Sequence, residues 1–191
     1  MFRRIFGPGP EHEAAATATE TAFAAAEANG DTATVRRIAG RLEELPPDRS
    51  RLVASGAYIL ARAANADLRI SDAETRIIEE ALQTAGALDE STAVLVAEMA
   101  KFQANTVGGT EDYVVTREFV SIATEEQKRN LLRACFLISA SDGSISAEES
   151  SEVNQIAKEF DLDAAVINQI RAEFHEQLSS VQEVRRLAEG A

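Results

Sequence analysis

Ser139-Ala140-Ser141-Asp142-Gly143-Ser144-Ile145-Ser146-Ala147-Glu148-Glu149 is the stretch that decides the fold. Before it runs an apolar stripe, Leu131, Leu132, Cys135, Phe136 and Ile138, at the three- and four-residue spacing of one helix face. Asp142-Gly143 reads as a helix stop, with the glycine supplying a positive φ. Ser146 with Glu149 three residues later is a capping box, which opens a new helix. The stretch is therefore a joint: helix, acidic turn, helix.

The joint occurs twice. Sliding the chain by 75 residues lays 57–99 on 132–174, with six identities in 43 positions. Four of the six fall in the joint: Asp67, Ile70, Ser71 and Glu74 on Asp142, Ile145, Ser146 and Glu149. The apolar positions register too, Ile78 on Val153, Ala81 on Ile156, Leu95 on Ile170 and Met99 on Phe174. Each unit reads as helix, acidic turn, helix, helix. The pattern predicts an all-α, pseudo-symmetric helical bundle built from two such units. Its two turns are expected on the same side.

Working outward, residues 50–65 carry the stripe Leu52, Val53, Gly56, Ile59, Leu60 and Ala63. Ser71 opens a helix with Ile77, Ile78, Ala81 and Leu82 that stops at Gly86. Asp89 caps a helix whose large apolar residues are Val94, Leu95 and Met99. After Gly108-Gly109, a short helix is expected from Thr110 to Ile122, and Thr124 with Gln127 makes another box. Asp163 precedes a helix with Val166, Ile167, Ile170 and Phe174, and Ser180 with Glu183 reads as a fourth box, opening the last helix.

Pro46-Pro47 is the sharpest boundary. Residues 1–47 read as a flexible tip and a helical N-terminal extension, with helices over 11–29 and 31–44, and residues 48–191 as the main domain. The first of these helices is almost all Ala and Thr around Phe23 and has little to bury.

Composition agrees. Thirty-five of the 191 residues are alanine, the best helix former, and glycine and proline are sparse. The net charge of -13 lacks the basic face that a nucleic-acid binder needs. One cysteine, Cys135, makes no internal disulfide and suits a reducing compartment. No apolar run reaches the ~18–20 residues of a membrane span. A cytoplasmic location is expected. The tip Met1-Phe2-Arg3-Arg4-Ile5-Phe6 reads either as a frayed terminus or as a weak peripheral membrane contact, since stable anchoring takes two signals.

The acidic turns invite comparison with the calcium loop D-x-[DN]-x-[DN]-G-x5-E. Asp142, Gly143 and Glu149 fill its third acidic, glycine and final positions, but Ile138 and Ala140 stand where the first two ligands belong. In the first turn Leu68 takes the glycine position and Ala63 the first ligand position. Calcium wants 6–8 oxygens, so neither half-loop suffices alone. Capping accounts for the same serines and glutamates without a metal.

A helix ending in Ala140-Ser141-Asp142-Gly143, followed by Ile145-Ser146 and Glu148-Glu149 and duplicated in one all-α chain, resembles the TerB-like family, the tellurite-resistance type of domain. Ile156-Ala157, the Phe160-Asp161-Leu162 turn and the run Glu125 to Leu132 share the likeness, which covers about residues 50–178. The resemblance implies a two-half helical bundle of the bacterial stress response. It also implies a divalent metal ion (calcium, magnesium or manganese) held by Asp67 and Glu74 in the first turn and by Asp142 and Glu149 in the second. Leu68 departs from the glycine that the family favours there. The expected function is a non-enzymatic interaction or scaffold module with unidentified protein partners. A rival is a metal-dependent enzyme using the same carboxylates.

Other candidates are weaker. His12 and His175 lack a second nitrogen or sulfur ligand at metal spacing. Cys135 sits on an apolar stripe, as a small core residue does. No phosphate-loop, dinucleotide, serine-hydrolase or zinc-protease motif is present.

Overall fold

A computed structural model describes residue 40 and residues 43–66, 70–86, 88–106 and 110–189. The expected tip and first helix, His12, and the Asp67–Leu68 part of the first turn lie outside the described residues. The compact unit considered below spans Asp48–Ala191.

Its described elements are helical: α1 (Pro47–Ala64), α2 (Asp72–Thr84), α3 (Glu90–Thr106), α4 (Thr110–Ile122), α5 (Glu125–Ser139), α6 (Ala147–Glu159), α7 (Ala164–Glu173), a 3-10 turn (His175–Gln177) and α8 (Ser179–Glu189). No strand occurs among the described residues; the one bridge pairs Ile145 with Leu178. The all-α expectation holds.

The starts follow from the caps. Pro47 takes the first position of α1, where its missing N–H costs nothing. Ser71, Thr124 and Ser146 each accept a hydrogen bond on the side chain from the backbone N–H three residues on, and each donates its own backbone N–H to the side chain of Glu74, Gln127 or Glu149. Asp163 caps α7 through the N–H of Ala165 at 2.7 Å. Asp89 takes both the N–H and the hydroxyl of Thr92. The fourth expected box does not form the start of α8. That helix begins at Ser179, because Leu178 is already pinned by the bridge to Ile145, so Ser180 falls inside the first turn.

Helix α2 packs on α3 and α5, α5 also on α6 and α7, and α4 on α6. The core is filled by Ile59, Leu60, Ile78, Leu132, Phe136, Ile138, Val153, Ile156, Phe160 and Ile170, all fully buried. Each such side chain contributes about 1.5–3 kcal/mol relative to exposure. The Phe119 and Phe160 rings lie 5.5 Å apart, and Phe136 stacks on Phe174 at 5.3 Å.

Helix α3 faces the core differently from expectation. Thr92, Ala93, Val96, Ala97 and Ala100 are buried, whereas Val94 is exposed and Leu95 and Met99 are half-buried. Small residues let the helix approach its neighbour closely, so the buried face is not the one with the largest side chains.

Helix boundaries repeat at the spacing found in the sequence. Ala64 and Ser139 end α1 and α5, and α2 and α6 run over Asp72–Thr84 and Ala147–Glu159, each 75 residues apart.

Candidate functional site

The second turn is built from the backbone upward. Ala140 leaves α5 with its N–H on the carbonyl of Phe136. Gly143 has φ 92, and its N–H returns to the Ala140 carbonyl at 2.9 Å. A side chain there would be strained, as the sequence reading required. Asp142 accepts the Ser144 N–H on Oδ1 at 2.9 Å. Glu149 accepts the Ser146 N–H on Oε2 at 2.7 Å.

Two backbone bonds fasten this turn to the end of the chain. The N–H of Ile145 donates to the Gln177 carbonyl at 2.7 Å, and the N–H of Ser179 donates to the Ile145 carbonyl at 3.0 Å. Gln182 adds a side-chain bond from Nε2 to the Gly143 carbonyl at 3.0 Å. The side chain of Ile145 is buried beneath.

In the first turn Glu74 is buried and accepts the Ser71 N–H at 2.6 Å. Asp67 lies outside the described residues. Ala66, the residue before it, lines the same open groove of about 690 Å³ as Asp142, Ser144, Ser146, Ala147, Glu148, Glu149 and Ser179. The end of α1 thus meets the second acidic turn. Among the described residues, no three His, Cys, Asp or Glu side chains converge closely enough to hold a metal. Asp142 and Glu149 each spend one carboxylate oxygen on the turn; the other makes no hydrogen bond among the described residues. The groove offers carboxylate and hydroxyl oxygens, the hard donors that calcium, magnesium and manganese prefer.

Sequence reading missed a second cluster. Arg62 stands off the apolar stripe of α1, in the stretch 55–64 where every residue is buried, and is itself buried. Its Nε donates to Glu152 at 2.5 Å, and its terminal nitrogens donate to both carboxylate oxygens of Glu159 at 2.8 and 3.2 Å. Nη1 also reaches the Thr116 hydroxyl at 3.3 Å, and Asp112 lies 3.9 Å from Nε. Tyr58 donates its hydroxyl to Asp112 at 2.7 Å. Burial works against the charge on Arg62, but the Glu159 and Glu152 carboxylates outweigh it and hold the guanidinium above the usual arginine range. Burial would raise the Glu159 carboxyl; bonds and charge from Arg62 reverse that and hold it below the usual carboxylate range. The cluster ties α1, α4 and α6 together. Its signals were an arginine inside an Ala-rich apolar run and two glutamates seven residues apart on one helix face.

Cys135 is fully buried, and burial pushes its thiol up to about 12, so it is a core residue and not a nucleophile. His175 is exposed.

Capped helices joined by acidic turns, with a buried arginine at the centre, define an all-helical bundle with its polar chemistry at the helix joints. The family model of Tellurite resistance protein TerB matches residues 52–172, and the chain belongs to that family. No curated protein and no solved structure matches the chain. No helix among the described residues is long and apolar enough to cross a membrane.

Proposed function

We propose that this chain is a non-enzymatic interaction or scaffold module of tellurite-resistance type, acting in the bacterial cytoplasm, whose two acidic turns share a divalent cation. The observation that carries the reading is the groove: Ala66, next to Asp67, lines it together with Asp142 and Glu149. Membership of the TerB family supports the module class. The matched helix boundaries support a twofold relation between the two turns. In this reading Asp67, Glu74, Asp142 and Glu149 supply the carboxylates, and the cation relieves their mutual repulsion.

A net charge of -13 gathers cations at any surface, so the test must exceed that background. A cation that binds only the folded chain raises stability by RT ln(1 + [L]/Kd), about 2.7 kcal/mol at a hundredfold excess over Kd. Millimolar calcium or manganese is expected to raise Tm by several degrees more than sodium chloride of equal ionic strength. Asp142→Asn with Glu149→Gln should abolish the difference while keeping the cap, since glutamine serves at its third position. Equal responses in the wild type and the double variant would leave these residues as caps only.

A further inference from the structure

Helix α8 is attached to the rest of the unit lightly. None of its residues is buried, and Val184 and Leu187 are 68% and 69% exposed. What holds its start is the second acidic turn, through the Ile145–Gln177 and Ser179–Ile145 backbone bonds and the Gln182–Gly143 bond. Gln182 also donates to the Glu176 carbonyl at 3.1 Å, so one side chain spans the turn and the chain leading into α8.

The closed clamp carries an unmet polar group. The Gln177 side-chain oxygen, beside Ile145, is buried with no hydrogen-bond partner among the described residues. A buried group without a partner opposes the state that buries it, and opening returns it to water. Elements with little buried surface open locally at low cost.

We infer that the turn 142–146 and helix α8 form one cooperative unit that opens and closes together, so that occupancy of the turn governs the docking of the C-terminal helix. The coupling stands on the clamp. Its sense with a cation rests on the proposed function: Ser179 lines the same groove as Asp142 and Glu149, so a cation seated there favours the closed clamp. By linkage, whatever loosens α8 weakens cation binding by the same factor.

Ser179→Pro tests this in the full chain. Ser179 is the first residue of α8, where proline is tolerated, and Leu178 before it is extended, as a residue before proline prefers. The substitution removes the N–H that bonds Ile145. By hydrogen–deuterium exchange, amides of 180–189 and of 142–146 should both speed up roughly tenfold, while those of 56–64 in α1 keep wild-type rates. Faster exchange in 180–189 with 142–146 unchanged, or no change in either, overturns the proposal. If Ser179→Pro also loosens α1, Gln182→Ala replaces it with the same expected pattern. Millimolar calcium should slow 180–189 in the wild type and not in Asp142→Asn with Glu149→Gln. Calcium that slows the turn but leaves α8 unchanged overturns the coupling and spares the cation reading. Calcium that slows neither, while Ser179→Pro loosens both, sinks the cation reading and upholds the coupling.

Discussion

Helices α1 and α5 end 75 residues apart, at Ala64 and Ser139, yet they are used in opposite ways. Every residue of α1 from Ser55 to Ala64 is buried, on all sides of the helix. Helix α5 is one-sided: it buries Leu132, Cys135, Phe136, Ile138 and Ser139 and leaves Leu137 half exposed. At the matched positions a buried arginine, Arg62, faces an exposed leucine, Leu137. The inversion has a physical cause. Helices α4 and α6 cover the far side of α1 with Asp112, Thr116, Glu152 and Glu159, so a charge there finds partners. The difference teaches that two helices can share their boundaries at a 75-residue spacing while one lies at the centre and the other at the edge.

Removing the charge tests this most severely. Arg62→Ala leaves Glu159 nearly buried without its partner and should cost roughly 3 kcal/mol in urea unfolding, somewhat less than a fully dry pair because Glu152 reaches solvent. Leu137→Ala should stay within about 0.5 kcal/mol. Equal costs at the two positions would break the contrast between centre and edge.

Acid should act on the same cluster. The folded carboxyl of Glu159 lies below its unfolded value, so its contribution is present above the unfolded value, about 4.3, and fades as pH falls through the folded one. Melting temperature should therefore drop below about pH 5, and the drop should be shallower in Arg62→Met, which lacks the partner. Parallel pH profiles would show that the acid loss arises elsewhere. The raised value of Arg62 adds no pH window in this range, because the group is charged throughout.

The exits of α2 and α6 sharpen the comparison at smaller scale. Gly86 and Asp161 hold matched positions. A Cβ on Gly86 would stand 2.4 Å from the Leu82 carbonyl oxygen, a backbone atom that cannot swing aside. Gly86→Ala should cost about 1–3 kcal/mol. Asp161 instead sits at φ 53, in the left-handed region. Asp161→Gly trades that strain for backbone entropy and should gain only about 0.5 kcal/mol. A loss at Asp161 would mean that its side chain does more than tolerate the turn.

These contrasts also mark what was legible in the sequence. The boxes at Ser71, Thr124 and Ser146 and the glycine at 143 were readable because capping is local: donor, acceptor and spacing all lie within four residues. The α8 start was misplaced because Leu178 answers to Ile145, more than thirty residues away. The buried face of α3 was misjudged because size stood in for burial, whereas Ala93 and Ala97 were chosen for closeness. Arg62 was passed over for a similar reason. Its partners lie on α4 and α6, and only the fold brings them to it.

The Tyr58–Asp112 bond has one more consequence. The chain has two tyrosines and no tryptophan. Tyr113 is 53% exposed, with the Arg117 guanidinium 5.8 Å from its ring centroid. Tyr58 is buried with its hydroxyl on a carboxylate, an arrangement that quenches a phenol in its excited state by drawing off the proton. With Tyr113→Phe the only remaining tyrosine stands at the rim of the Arg62 cluster. The protein thus carries its own optical gauge of whether its charged centre is intact.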